Sequence, residues 1–504
     1  MSMPRISEDS FQIDKTRPTS LQAQIREAVV SAILSGRLEP LARLPSTRRL
    51  AEHLGISRIT VSLAYQELAA QGYLDPLPRS GYRICETAPI ARLRATQGAD
   101  APGALDWSAR IVKRFDIARS IRKPLDWRSY PFPFTYGQSD MSLFDLAAWR
   151  DCTRRSLSRS DFEFMAGDFA AADDMQLVQY ISSRTLPRRG IKAAADEILV
   201  TVGAQNAIWI VVQLLLGAGR HAVCEEPSHP DIYASLKLSG ASVSTVPVDQ
   251  NGLPPDDLPP DVDVVFVTPS HQAPTAVRMP MARRRRLLEL AQERDFIVVE
   301  DDYEFEMSFL EAPSPALRSI DRHNRVLYIG SFSKSLFPGL RLGYLVGPPE
   351  LIREARALRA LMLRHPPGHL QRAVSNFLAL GHYDSLIRRM RGEYAKRHDT
   401  MAEALEKCGL TIAGRSSFGG TSFWIEGRED LDADALADAL RADGVLIESG
   451  SPFFAHRTET CRYFRMAYSS IDASRIPEGV ERVAARSRWL QEHRAPTKAG
   501  REKP

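Results

Sequence analysis

The chain has 504 residues, 44% of them hydrophobic and 25% charged, with a formal net charge of +4. Such a length calls for two or three domains and such a composition for a globular protein with ample core, while the charge alone does not decide for nucleic acid. No apolar run approaches membrane-spanning length, the N-terminus lacks the apolar core of a signal peptide, and five scattered cysteines without paired spacing exclude a disulfide or zinc framework.

From the N-terminus, apolar positions at Leu21, Ile25, Ala28, Val29, Ala32 and Ile33 predict an amphipathic helix over residues 21–34 that ends near Gly36. Pro45 and Ser46 stand where a second helix begins, and it runs to the turn Leu54-Gly55-Ile56. Ser57 then caps a third helix over residues 58–71, with Ile59, Val61, Leu63, Ala64 and Leu68 available for its buried face. Two helices joined by a short glycine-containing turn make a helix-turn-helix, whose second helix would present Ser57, Arg58 and Thr60 to base edges or phosphates. Residues 73–84 read as two short strands around a tight turn, a wing.

Nearly all of residues 18–84, including Leu44-Pro45-Ser46, Leu50-Ala51, Leu54-Gly55-Ile56-Ser57-Arg58, Tyr65 and Gly72-Tyr73, resembles the winged helix of the GntR regulators. The resemblance implies that Arg48 and Arg58 contact phosphate or guanine. It also implies that Ser57 and Thr60 set the helix on the DNA backbone, and that Ser80 and Gly81 lie in the wing. The alternative is a small helical docking domain whose arginines are merely solvated.

Composition divides the chain further. Residues 1–87 form the helical module, and residues 88–128 mix Ala, Arg, Pro and Gly without sustained periodicity, as a linker does. Over residues 129–490, β-branched runs at 197–202, 222–226, 241–246, 262–268, 296–300 and 325–329 alternate with amphipathic segments. That pattern predicts an α/β domain with a largely parallel sheet. Residues 491–504 are polar and basic and read as a disordered tail.

Four constellations in the α/β region carry chemistry. Lys334, in Gly330-Ser331-Phe332-Ser333-Lys334-Ser335, is an amine among small hydroxyl donors with Arg341 seven residues on; it suits a Schiff base with an aldehyde cofactor whose phosphate the hydroxyls and the arginine hold. Val298-Val299-Glu300-Asp301-Asp302-Tyr303 is a buried strand ending in carboxylates. Asp301 suits a pyridinium nitrogen and Tyr303 a ring phenolate, while a strand-end cap is the structural alternative. In the strand-to-helix turn Thr201-Val202-Gly203-Ala204-Gln205, Gly203 lets the backbone of Ala204 and Gln205 approach a phosphate. Arg465, inside the apolar run Tyr463-Phe464-Arg465-Met466, needs an anion, either a ligand carboxylate or an internal salt bridge.

Together these resemble the fold-type I aminotransferases over residues 129–490. The resemblance implies pyridoxal 5'-phosphate as cofactor, with Lys334 for the internal aldimine, Asp301 and Tyr303 for the ring, Ser331, Ser333 and Arg341 for phosphate, and Arg465 for the ligand carboxylate. Thr268-Pro269-Ser270-His271-Gln272, Pro274-Thr275, Arg283-Arg284 and the order of the two halves resemble the MocR branch of GntR regulators.

The chain departs from that branch where Ala273 and Ala276 replace an aromatic and a glycine, and where His229 takes the place of the aromatic that stacks on the cofactor ring, with a charge that depends on pH. The stretch Phe164-Met165-Ala166-Gly167-Asp168-Phe169 is degenerate, so no tyrosine reaching a partner subunit's phosphate can be assigned. Arg283-Arg284-Arg285-Arg286 reads as the start and solvated face of a helix. The expectation is a cytoplasmic, nucleoid-associated homodimer that binds double-stranded promoter DNA and senses the cofactor, an amino-acid-like amine, or both, with no metal and no membrane contact. The competing expectations are a working aminotransferase with a docking appendage, and a scaffold that has lost the cofactor.

Overall fold

The computed structural model describes residues 6–78, 80–88, 105–112, 121, 123–168, 171–414, 418–456 and 460–493. The chain divides into two compact units, Met1–Arg114 and Phe115–Pro504, a division that falls inside the stretch expected as a linker. Much of that stretch, residue 169 of the degenerate segment and the tail from residue 494 lie outside the described residues. Within the linker stretch Trp107–Arg110 makes one helical turn, and residues 491 and 492, expected in the tail, instead finish the helix Ile476–Glu492. Among the described residues no helix is long and apolar enough to cross a membrane.

The first unit is three helices and a hairpin: α1 (Leu21–Leu34), α2 (Thr47–Leu54), α3 (Arg58–Ala70), β1 (Leu74–Leu77) and β2 (Gly81–Ile84). Ser46 and Ser57 cap α2 and α3, their hydroxyls accepting from the amides of Arg49 (3.3 Å) and Ile59 (3.2 Å). Gly55 ends α2 at φ +60°, which frees the chain to turn directly into α3. Ile25, Val29, Ile33, Leu50, Val61, Ala64, Tyr65 and Leu68 share one core. Two of the residues expected on the buried face of α3 are not there: Ile59 is 69% and Leu63 46% exposed. Val61, Ala64, Tyr65 and Leu68 recur at steps of three and four along one stripe, and at about 100° per residue Ile59 and Leu63 point to the opposite side.

The second unit is built on a mostly parallel sheet. After β3 (Phe132–Pro133) come β4 (Ile198–Thr201), β5 (His221–Glu226), β6 (Ser242–Pro247), β7 (Val264–Val267), β8 (Ile297–Asp301), β9 (Val326–Ser331) and β10 (Gly343–Val346). The spatial order is β4-β10-β9-β8-β7-β5-β6. All six strands expected from β-branched runs are present. The seventh, β10, is antiparallel to both β4 and β9. Valine, leucine and isoleucine on both faces pack into separate clusters, which is why the strands read as continuous apolar runs. A smaller antiparallel sheet orders β11 (Thr411–Ile412), β12 (Ser422–Glu426), β15 (Tyr463–Ala467) and β14 (Glu448–Ser449), while β13 (Val445–Leu446) pairs in parallel with β3.

Candidate functional site

Parallel strands deliver their C-terminal ends to one edge of the sheet, and ligands of open α/β sheets sit there. Here that edge receives Thr268 after β7, Asp301 at the end of β8 and Ser331 at the end of β9. The reversed strand β10 brings its N-terminal end to the same edge. Gly343 pairs with both Ser331 and Thr201, so Arg341, two residues earlier, lands beside Ser331 and Gly203. The resulting cleft has an empty volume of about 870 Å³ including its mouth. Ala204, Gln205, His229, Asp301, Tyr303, Ser331, Ser333, Lys334, Arg341 and Arg465 all line it, so ten of the residues singled out in the sequence converge on one place.

One end of the cleft suits a phosphate. Gly203, at φ +79°, opens the helix Ala204–Leu215 with no side chain capping it, and a Cβ there would come within 3.5 Å of the Arg341 guanidinium. Arg341 bonds only weakly to Gln205 Oε1 (3.4 Å), and the Ser333 hydroxyl is buried without a hydrogen-bond partner. Free amides, a free hydroxyl and a nearly free guanidinium are what a dianion requires.

In the middle stand Lys334 and Asp301, each moved from its ordinary pKa chiefly by burial. Burial first, then the positive charges of Arg465 and Lys123, pulls the Lys334 pKa down to about 8 against the opposing carboxylates of Glu304 and Glu448. Roughly a tenth of the amine is therefore neutral and nucleophilic at pH 7, against far less than a hundredth for a lysine of ordinary pKa. Burial, together with Asp302 and Glu225, raises Asp301 to about 7, and its Oδ1 is a buried oxygen with no partner. A protonated ring nitrogen would supply that partner. Asp302, by contrast, is structural: its Oδ2 accepts from Arg189 Nε (2.6 Å) and Tyr328 (2.8 Å). Burial pushes the Tyr303 phenol well above its usual value, so it stays protonated and can donate. The donor set fits a group with a phosphate, an aldehyde and a basic ring nitrogen.

At the other end, the structure alters the role expected for Arg465. Its Nε and Nη2 lie 2.8 and 2.7 Å from Oε2 of Glu448, both side chains being buried. The internal salt bridge is therefore formed, and the guanidinium is not waiting free for a ligand carboxylate. Sequence reading did not find Glu448, because only the register of β14 on β15 sets it opposite Arg465. It did not find Tyr136 either. The pairing of β3 with β13 carries Tyr136 to the cleft, where its amide donates to Glu448 Oε1 (3.1 Å). Its ring lies 4.1 Å from Lys334 Nζ and 3.8 Å from the Arg465 guanidinium carbon. The one local signal is Gly137 (φ +71°), where a Cβ would lie 2.6 Å from the lysine nitrogen.

The departures also resolve. His229 lines the cleft and caps the helix Pro230–Leu238, its Nδ1 accepting from the Asp231 amide (3.3 Å). Burial first, then Lys334 and Arg465 against Asp231, holds its pKa down to about 4, so the ring is neutral near neutral pH rather than switching there. Ala276 adopts φ +62°, the conformation for which a glycine is suited. Of the arginine run in helix Met281–Arg294, Arg283 pairs with Asp249 and Arg286 with Asp256. Arg284, expected on a solvated face, is fully buried and ties down the carbonyls of Pro269, Met279 and Pro315. A buried guanidinium survives there because each of its three nitrogens meets a fixed carbonyl and the Glu300 carboxylate lies 4.0 Å away.

On the first unit, Ser57, Arg58 and Thr60 form the first turn of α3 with Ile59 exposed between them. Arg58 Nε reaches Thr47 Oγ1 (3.4 Å), joining the start of α3 to the start of α2. Arg48 is exposed and paired with Glu52 (3.0 Å), and Ser80 and Gly81 stand at the turn of the β1–β2 hairpin. The candidate DNA residues thus lie on exposed ends and turns.

The chain matches the family of aminotransferases class I and II over residues 137–483 and the bacterial regulatory proteins of the gntR family over residues 21–84. The HTH-type transcriptional regulator TauR of Rhodobacter capsulatus is 47% identical over 94% of this chain and 98% of its own length. The probable rhizopine catabolism regulatory protein MocR of Rhizobium meliloti is 30% identical over 93% and 94%. Among solved structures, the α-aminoadipate aminotransferase LysN of Thermus thermophilus, complexed with N-(5'-phosphopyridoxyl)-L-leucine, is 27% identical. Its TM-score is 0.68, covering 77% of this chain and 100% of that one.

Proposed function

Because the chain belongs to the MocR-type branch of the GntR regulators, a winged helix joined to an aminotransferase-like domain, we propose that it is a transcriptional regulator that binds promoter DNA and senses pyridoxal 5'-phosphate, an amino-acid-like amine, or both. The observation that supports this reading is the presence in one chain of the exposed first turn of α3 and a cleft that collects Lys334, Asp301, Tyr303 and Arg341, with Arg465 already paired with Glu448.

When bound, pyridoxal 5'-phosphate supplies an aldehyde that captures amines. Lys334 would hold it by its neutral amine; Ser331, Ser333, Arg341 and the amides of Ala204 and Gln205 would hold its phosphate. Asp301 would keep its ring nitrogen protonated, Tyr303 would donate to its ring oxygen, and His229 would cover its face. Arg465, fixed by Glu448 and Tyr136, shapes the place where an effector's acid group would arrive. Occupancy of the cleft and affinity for DNA are then linked quantities, each changing the other by the same factor. Paired half-sites call for a homodimer, working in the cytoplasm at the nucleoid.

The test uses two variants of the purified chain. Lys334→Ala should lose the visible absorption of the cofactor-loaded protein and still bind DNA, with an affinity shifted from that of the loaded chain but not abolished. Arg58→Ala should lose DNA affinity while keeping the absorption. Loss of both properties in either variant would point to misfolding and would not support the reading. A working aminotransferase is the second reading, favoured by the intact set Asp301, Tyr303, Lys334 and Arg341. Multiple turnovers of an amino acid with a keto acid, without selective DNA binding, would establish it instead.

A further inference from the structure

The Tyr136 side chain lines the cofactor cleft. Its ring centre lies 4.1 Å from Lys334 Nζ and 3.8 Å from the Arg465 guanidinium carbon, so one ring touches both cations. Lys334 is where an amine would be captured, and Arg465 is where its acid group would arrive. Glu448 engages Nε and Nη2 of that arginine, and Nη1 is the nitrogen left to a ligand. A molecule held at Lys334 and reaching for Arg465 must therefore take the volume in which the Tyr136 ring stands.

The backbone here is fixed from both sides. The Tyr136 amide donates to Glu448 Oε1 (3.1 Å), the Phe134 amide to the Leu446 carbonyl (2.9 Å), and the Ser469 hydroxyl to the Gln138 carbonyl (2.7 Å). Gly137, at φ +71°, carries the chain close over the lysine nitrogen. The side chain is less settled. Its hydroxyl neighbours the Tyr303 phenol but is buried without a hydrogen-bond partner. Two opposing effects thus act on one residue. Contact with two cations favours the ring where it stands. The stranded hydroxyl, which water or a ligand oxygen would satisfy, favours a turn away. Rotation about the first side-chain bond has a few discrete wells, so such a ring switches between positions and does not drift.

We propose that Tyr136 decides which amines the cleft accepts: its ring fills the position of the effector's acid group while no effector is bound, and swings out when a ligand carrying an acid group arrives. The hydroxyl then gains water or a ligand oxygen, and the guanidinium gains the acid group in place of the ring. An amine without an acid group gains nothing from Arg465 and leaves the ring where it is. Displacing the ring costs the same for every ligand, so the position selects those whose contact with Arg465 exceeds that cost. The inference rests on the effector-sensing reading above and names the residue that controls it.

Two small aminooxy compounds separate the acid-group position from the capture step: O-methylhydroxylamine, which has no acid group, and aminooxyacetate, which has one. Each takes over the double bond to the cofactor's aldehyde carbon from Lys334, which leaves as the free amine, so loss of the visible band of the loaded full chain gives the rate. In Tyr136→Ala the rate with aminooxyacetate, relative to that with O-methylhydroxylamine, should rise about tenfold, the size of one desolvated cation–π contact that no longer has to be broken. In Tyr136→Phe the same ratio should fall about threefold or more, because the ring remains and the hydroxyl that favours its release is gone. An unchanged or lower ratio in Tyr136→Ala, or an unchanged or higher one in Tyr136→Phe, would each overturn the proposal. The visible band shows whether a variant holds the cofactor; should Tyr136→Ala fail to, Tyr136→Phe decides alone. If the unaltered chain has no visible band, the cofactor reading falls with the proposal; if the band is present and the ratios do not move, the proposal alone falls.

Discussion

Glu448 and Arg465 oppose each other directly across antiparallel β14 and β15, and one carboxylate oxygen takes both Nε and Nη2 of the guanidinium. Tyr136 closes the arrangement by donating its amide to the other oxygen and laying its ring on the arginine. One end of the cofactor cleft is thereby set without any ligand.

Removing one member of such a buried pair leaves the other charge uncompensated. Arg465→Ala is expected to destabilise the chain by about 3–5 kcal/mol, and Arg465→Ala combined with Glu448→Ala by clearly less than the sum of the two single changes. Urea unfolding of the three variants checks this, and additive losses would contradict a mutual pair.

Asp301 has a folded-state pKa raised from 3.8 to about 7 by burial, Asp302 and Glu225. Between those values the folded chain binds more protons than the unfolded chain, so the stability of cofactor-free protein falls as pH rises through that window. Glu225, Glu300 and Glu306, each raised to about 7 by burial, act in the same direction. Asp301→Asn should flatten this decline, raise cofactor-free stability at pH 8 by about 1–3 kcal/mol, and abolish tight cofactor retention. A pH series of thermal melts on both proteins is the measurement, and parallel curves would remove Asp301 as a contributor.

The Lys334 amine, lowered to about 8, should govern cofactor loading. The neutral amine is the reactive form, so the loading rate of the cofactor-free chain should climb with pH and level off above a midpoint near 8. A midpoint near 10 would place the amine in water. The stability effect has the sign of a depressed lysine: between about 8 and 10.5 the unfolded chain holds the extra proton, so this group makes the folded chain more stable as pH rises through that range.

Ala276 pays for its positive φ, and Ala276→Gly should remove that strain. The gain in backbone comfort, about 1–2 kcal/mol, exceeds the added freedom of the unfolded glycine, about 0.4–1 kcal/mol, so a net stabilisation of about 0.5–1 kcal/mol is expected. A rise in the denaturation midpoint with unchanged slope would record it; a fall would show that the alanine is not strained.

Much of this protein was legible in its local sequence. The capping serines Ser46 and Ser57, the left-handed Gly55 and the three helices were readable because caps, turns and apolar periodicity act over a few residues. The same holds for the six strands with β-branched runs. Strand β10 escaped because Gly343-Tyr344-Leu345-Val346 holds a single β-branched residue and follows closely on the Lys334 segment. Ile59 and Leu63 were misplaced because apolar type alone does not say which side of a helix the core lies on.

The sequence by itself determined the two halves and singled out Lys334, Asp301, Tyr303, Ser331, Ser333 and Arg341, all of which line one cleft, because each stands in a short segment whose residue types suit a stated chemistry. Only the tertiary structure decided that Arg465 is paired with Glu448, that Tyr136 bridges Lys334 and Arg465, that Arg284 is buried, and that His229 is held neutral. Those outcomes depend on strand register and on the burial of charge among residues hundreds of positions apart, and neither is written in any one stretch of chain.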